Sequence, residues 1–243
     1  MKAYKVFGQN KQTGGNLMAV VNRPENALDS GFPVTVLIEA SKAADVKFRF
    51  FYPDSLEASI CGHALLGAAH SVDALHFDVE TGSGVREVRK LGASTLVNFG
   101  AFEEIRPNFT TQPQSIWFNL QPENIIRHGI FSAGKPKLMI EVDSLATLNI
   151  VQFDLEALLA WNRGKNFSGY TLFTHDKGQL YARASNPLYN IPEDSACAVC
   201  CAALPVTCLE QRSIHMGHPH YPNTLHLEEK DGSRWVGGNV YPV

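Results

Sequence analysis

Two ten-residue segments, Ile60-Cys61-Gly62-His63-Ala64-Leu65-Leu66-Gly67-Ala68-Ala69 and Ser195-Ala196-Cys197-Ala198-Val199-Cys200-Cys201-Ala202-Ala203-Leu204, place a cysteine where a run of small, apolar residues begins. Each reads as the start of a helix with no polar face, and such a helix has to be buried. A helix start offers unpaired N–H groups and partial positive charge, so it can bind a carboxylate or lower a thiol's pKa. Two such ends facing each other would hold a small anion between two acid/base groups.

What surrounds the two helices reads mainly as short strands. Lys2 to Phe7 and Met18 to Val21 are predicted strands, separated by the turn-rich run from Gly8 to Asn16. Val34 to Ala44, apolar at mixed spacing, is predicted as a short helix. Val46 to Tyr52 alternates up to Pro53 and is predicted as a strand, and short strands follow from about His76 to Phe102. Glu103 to Gln114, with two prolines, Asn and Thr-Thr, is the predicted linker. Beyond it, Lys137 to Val142, Tyr170 to Phe173, Gln179 to Ala184, Thr224 to Glu228 and Trp235 to Val240 read as strands, and Asp154 to Asn162 as a helix. Each half is thus a set of short strands around one small-residue helix, a weak pseudo-repeat. The expected domains are 1–108, which a last strand at 236–243 can rejoin, and 115–235.

The bulk numbers exclude several classes. At 243 residues, 44% hydrophobic and 19% charged, the composition is that of a globular protein. A net charge of −3 without a Lys/Arg cluster argues against a nucleic-acid partner. No apolar leader follows Met1 and no run reaches membrane-spanning length, so no membrane partner and a cytoplasmic location are expected. Five cysteines (61, 197, 200, 201 and 208), odd in number and crowded into the second half, suggest free thiols.

At these residues the chain resembles the phenazine-biosynthesis isomerase-like (PhzF-like) family, which has the diaminopimelate epimerase fold. Gly15-Asn16-Leu17-Met18-Ala19-Val20-Val21 resembles that family's G-N-P-x-A-V-V. Phe48 to Pro53, Glu57 and Cys61-Gly62-His63-Ala64 resemble R-x-F-T-P…E…C-G-H-A-T. Lys137 to Leu145 matches a typical start of the second domain. Tyr181-Ala182-Arg183 through Pro187 and Ile191-Pro192-Glu193-Asp194 resemble R-x-F-x-P…G-I-x-E-D-P-x-T-G-S. Gln211 through Met216-Gly217-His218-Pro219, then Val236-Gly237-Gly238, complete the series. The resemblance implies an α+β fold of two similar domains, each a barrel-like, mostly antiparallel sheet around a central helix, with the site in the cleft between them. It also implies cofactor-free proton movement beside the carboxylate of a small amino- or hydroxy-acid-like metabolite, and the dimers that relatives often form make a homodimer an option.

The departures matter as much. The family's catalytic glutamate lies in an S-E-T-x-F segment, which here is Glu39-Ala40-Ser41-Lys42-Ala43-Ala44-Asp45, leaving Asp45 as the nearest carboxylate. P-x-T-G-S has become Ser195-Ala196-Cys197-Ala198-Val199, so Cys197 stands at the threonine, near where epimerase relatives carry a second catalytic cysteine. The arginine after Met-Gly is His218.

Each candidate has a plain structural alternative. Cys61 and Cys197 suit an acid/base pair on opposite faces of one carbon, or are small core residues. His63 can relay a proton or contact a carboxylate, or be a satisfied polar group. Asp194 can be a base or hold a substrate amine, or cap the second helix. Asp45 is the remaining candidate base. Asn16, after Gly14 and Gly15, can bind substrate or simply turn the chain. Gly15, Asn16, Gly62, Ala198 and His218 make up the expected binding set. Cys197-Ala198-Val199-Cys200 is formally C-x-x-C but lacks the strand–helix context of a redox motif, and His215, His218, His220 and His226 lack tetrahedral spacing. No metal or cofactor is therefore expected. The reading is an isomerase or epimerase; its rival is a catalytically silent binding protein of the same fold, and a thiol-disulfide enzyme stands third.

Overall fold

The computed structural model describes residues 1–27, 30–53, 56–207 and 212–243; Cys208 and Gln211 lie outside the described residues. The chain divides into two compact units, Met1–Phe99 with Trp235–Val243, and Gly100–Arg234.

In the first unit, β1 (Lys2–Val6) pairs antiparallel with β2 (Asn16–Val21), setting Tyr4 opposite Met18. β3 (Thr35–Glu39) runs parallel to β2 and antiparallel to β4 (Val46–Phe51). The short β5 (Glu57–Ala58) flanks β4 and leads into α1 (Gly62–Ala69). β6 (His76–Thr81), β7 (Gly84–Leu91) and β8 (Ser94–Ile105) follow; β6 joins β4 in parallel, and β7 and β8 add antiparallel strands. The last strand of the chain, Ser233–Pro242, pairs with both β1 and β8, so the sheet of this unit closes into a ring. All eight residues of α1 are buried, and the helix packs on β1, β2, β3 and β4. The small-residue helix predicted from Cys61 onward is therefore present.

The predicted helix over Val34 to Ala44 is a strand instead. Thr35, Val36 and Ile38 are β-branched, and Thr35, Val36 and Leu37 are buried between two hydrogen-bonded neighbours. Branching at Cβ restricts side-chain rotation in a helix but packs well on a pleated surface, and pairing on both edges decides the matter.

In the second unit, the end of β8 pairs with β9 (Ile125–Ala133), which pairs with β10 (Lys137–Val142). α2 (Leu145–Ile150) and α3 (Leu155–Asn162) are capped by Ser144 and Asp154, whose side chains accept the Thr147 and Ala157 N–H groups. β11 (Tyr170–Asp176) lies parallel to β10 and antiparallel to β12 (Gln179–Asn186), on which β13 (Ile191–Asp194) folds. α4 (Ala198–Ala202) has only five residues. β14 (Arg212–Met216) runs parallel to β12, β15 (Asn223–Lys230) returns antiparallel, and Ser233–Pro242 becomes β16. The core centres on Phe118, Ile140, Leu148, Leu158, Tyr170 and Leu172. The chain is thus an α+β protein, mostly sheet, with strands curling in rings around short apolar helices.

Candidate active-site residues

In the first unit the chemistry gathers where β4 runs out and α1 begins. Cys61 is the residue just before α1 and is buried, 5% exposed. The Tyr52 hydroxyl donates to Cys61 Sγ at 3.4 Å, and His63 Nδ1 lies 3.6 Å from the same sulfur. Burial alone would push the Cys61 thiol up. The opposing charge of His63, the His63 and Tyr52 hydrogen bonds and the Ala64 N–H outweigh it, so the thiol sits below its ordinary range. Cysteine, tyrosine and histidine thus form one cluster favouring thiolate. Gly62 is the first residue of α1, directly beside it.

Asn16 opens β2, one of the strands packed on α1. The backbone reaches it through Gly14 and Gly15, at φ of +69° and +90°. A Cβ on Gly15 would fall 2.2 Å from Lys5 Cγ, so glycine is required by both conformation and space. Asp45 is engaged elsewhere: its Oδ2 accepts the Asp78 N–H at 2.8 Å, and it lines a hollow of about 640 Å³ with Lys2, Arg23 and Asn26. Arg49 forks onto Glu57 at 2.9 and 2.8 Å.

In the second unit, Asp194 ends β13 and its Oδ1 accepts the Ala196 N–H at 3.2 Å, so it caps the turn before the helix and not the helix itself. Cys197 itself caps α4: its Sγ accepts the Cys200 N–H at 3.3 Å. The two thiols bear on each other's charge and divide it unequally. Cys197 is pushed well up by the neighbouring Cys200, by burial, and by the negative charge of Asp194, against the pull of Lys137. For Cys200, burial is overcome by the neighbouring Cys197, the Lys137 charge and the Thr171 hydroxyl, and its thiol is lowered. Ala198 is the first residue of α4.

His218 holds its Nδ1 3.1 Å from Asn149 Oδ1 and its ring edge-on to Tyr181. Gly217, at φ +72°, permits the turn before it: a Cβ there would fall 2.3 Å from the Tyr221 carbonyl oxygen and 2.7 Å from that of Ser195. Asn223 Nδ2 donates to the same Ser195 oxygen at 3.0 Å. Arg183, 4% exposed, holds Glu193 with two bonds of 2.7 Å and donates to the carbonyls of Leu148, Asn149 and Val151. It therefore ties β13, and with it Asp194, to the end of α2.

Sequence reasoning missed Tyr52, Lys137 and Thr171. Tyr52 stands just before the proline that ends a predicted strand, and Lys137 opens an otherwise apolar strand, a placement that signals a buried charge only once the partners are known. Among the described residues, no group of three or more His, Cys, Asp or Glu side chains is placed to hold a metal ion. None of their helices is long and apolar enough to cross a membrane.

Several solved structures share this fold. A PhzF-family phenazine biosynthesis protein of Bacillus anthracis aligns with a TM-score of 0.78 at 15% identity, covering 100% of this chain and 96% of that one. A protein of Pseudomonas aeruginosa described as a predicted epimerase aligns at 0.75 and 19%, again covering 100% and 96%. A hydroxyproline epimerase of Agrobacterium vitis, solved with bound trans-4-hydroxy-L-proline, aligns at 0.59 and 13%, covering 92% of this chain and 77% of that one. A search of curated proteins finds no match to the sequence. The sequence model of the PhzC-PhzF family, described as phenazine biosynthesis-like protein, matches residues 4–218. The chain belongs to the phenazine biosynthesis-like family.

Proposed function

We propose that the chain is a cofactor-independent isomerase that moves a proton on the carbon beside the carboxylate of a small amino or hydroxy acid. Cys61 serves as base and Cys197 as acid, each domain contributing one. The observation that carries this reading is the matched placement of the two thiols, each just before a short buried helix, Cys61 with the Tyr52 hydroxyl at 3.4 Å and His63 Nδ1 at 3.6 Å, and Cys197 accepting the Cys200 N–H at 3.3 Å; the environments move the Cys61 thiol down and the Cys197 thiol up. Groups whose environments drive them apart in this way are suited to take and give a proton at the same pH. The Cys61 thiolate removes the proton from one face, leaving a carbanion delocalised into the carboxylate. The Cys197 thiol delivers its own proton to the opposite face, and the roles of the two sulfurs are then reversed. Asp194 keeps Cys197 protonated and offers a carboxylate to a substrate amine. His63 holds the Cys61 thiolate, while Gly62, Ala198, Asn16 and His218 are the proposed carboxylate and side-chain contacts.

Family membership and the racemase and epimerase neighbours support the reaction class. Proton NMR in deuterium oxide over a panel of small amino and hydroxy acids tests it. Loss of the α-proton signal of one compound, abolished by Cys61→Ser and by Cys197→Ser, is expected. Binding of such an acid without any exchange would establish a silent binding protein instead.

A further inference from the structure

We propose that the hollow of the first unit, at the end of α1 remote from Cys61, binds a free α-amino acid with a large apolar side chain. Cys61 directly precedes α1, whereas Val72, in the wall of the hollow, lies three residues beyond Ala69. Eight helical residues between them span about 12 Å. The hollow measures about 640 Å³, within the range of small-molecule sites. Its apolar wall is built where strands begin and end: Val20 and Val21 close β2, Ile38 lies near the end of β3, and Val46 opens β4. Val20 and Val21 are 4% and 3% exposed, and Ile38, Val46 and Val72 are half-buried.

The charges around that wall select the ligand. Two cations, Lys2 and Arg23, and a single carboxylate, Asp45, line the hollow. Among the described residues none of the three forms an ion pair. Asp45 is held in place from both sides of the peptide plane: its N–H donates to the Asp78 carbonyl at 3.2 Å, and its Oδ2 accepts the Asp78 N–H at 2.8 Å. Its Oδ1 accepts no hydrogen bond among the described residues. The carboxylate is therefore positioned by one oxygen and leaves the other for a cation.

Each simpler class of ligand fits only part of this set. A phosphate or dicarboxylate gains from Lys2 and Arg23 but is repelled by Asp45. A plain amine meets the reverse, and a neutral molecule uses neither sign. A zwitterion uses both, its carboxylate toward Lys2 and Arg23 and its ammonium toward Asp45, with the Asn22 and Asn26 amides able to donate to the carboxylate. The side chain then lies on the aliphatic wall. A polar side chain would give up water there without a partner, so apolar amino acids are favoured. This site is separate from the proposed proton transfer and does not depend on it.

Nitrogen-15-labelled full chain is titrated with L-phenylalanine and with its two halves, hydrocinnamate (no amine) and phenethylamine (no carboxylate), and followed by amide NMR. Saturable shifts are expected with L-phenylalanine at Val20–Arg23, Asp45, Val46, Ser71 and Val72. Each analogue should bind about two- to five-fold more weakly, the size of an exposed ion pair. Asp45→Asn keeps an oxygen for the Asp78 N–H and should erase the preference over hydrocinnamate. Lys2→Gln with Arg23→Gln, both at exposed positions, should erase the preference over phenethylamine. The proposal is overturned by the absence of saturable shifts at these amides, by shifts confined to Cys61–His63 and Asp194–Ala198, or by a preference over hydrocinnamate that survives Asp45→Asn.

Discussion

Arg183→Met should be the most damaging single change in the second unit that leaves its hydrophobic volume nearly intact. The guanidinium makes two bonds of 2.7 Å to Glu193 and donates at 3.1, 3.3 and 2.9 Å to the carbonyls of Leu148, Asn149 and Val151. Glu193 is 25% exposed on its side chain and can be rehydrated, which limits its share of the loss. Leu148 and Val151 are buried at 0% and 2%, so their carbonyls lose a donor that water replaces poorly. Leaving a buried acceptor unsatisfied costs about 1–3 kcal/mol, and breaking a buried ion pair from one side about 3–5 kcal/mol in all. At about 2–4 °C per kcal/mol for a domain of this size, the melting temperature should fall by roughly 6–20 °C. Calorimetry on Arg183→Met, Glu193→Gln and the double variant is the assay. Because the two side chains interact directly, the double variant should lose less than the sum of the singles by more than about 0.5 kcal/mol. Additivity within that margin, or an Arg183→Met melt within about 2 °C of wild type, would refute the claim that this arginine anchors β13.

Four other outcomes follow from the geometry. Iodoacetamide should modify Cys61 with a pH midpoint below that of a free thiol, and both His63→Gln and Tyr52→Phe should raise that midpoint; peptide mapping against pH reads it. Since the Cys61 thiol is lower folded than unfolded, its contribution to stability is full above the unfolded thiol value and disappears as pH falls through the folded one. Urea unfolding of wild type should therefore gain on Cys61→Ser as pH rises from about 6 to 9, and a constant difference would contradict the thiolate. Gly217→Ala should cost well over 1 kcal/mol, because φ +72° and two carbonyl oxygens under 3 Å both oppose a Cβ; a chemical melt checks it. Asp194→Asn should lower the Cys197 thiol by removing a neighbouring negative charge, visible as faster alkylation of Cys197 at neutral pH.

Much of the architecture was legible because it rests on local pattern. The alternation from Val46 to Tyr52, the apolar run from Lys137 and the capped segment at Asp154 all gave elements at their predicted places. The error at Thr35–Glu39 shows where that stops: a short apolar run suits helix or strand, and hydrogen-bonded neighbours on both sides settle it. α2 is absent from the sequence reading for a related reason, being a six-residue helix whose one strong signal is the Ser144 cap. For the proposed site, motif order singled out Cys61, His63, Asp194 and Cys197. It could not reveal Tyr52, nine residues before Cys61, or Thr171 and Lys137, which act on Cys200 from strands remote in sequence. Asp45 was singled out for its distance along the chain from Arg49, whereas its carboxylate is tied to the Asp78 backbone.

The complete burial of α1 also fixes the timescale on which Cys61 can be seen from outside. A helix with no exposed face cannot exchange its amide hydrogens by fraying one side into water, so deuterium enters it only when the surrounding ring of strands opens. Slow amide exchange across Gly62–Ala69 becomes a direct gauge of how often the first unit opens. A bulky thiol reagent then labels Cys61 at the product of two quantities, the opening equilibrium and the intrinsic thiolate rate, whereas a proton or small acid that reaches the sulfur by a narrower path is free of the first. Comparing the two rates on one sample separates breathing of the fold from chemistry at the sulfur.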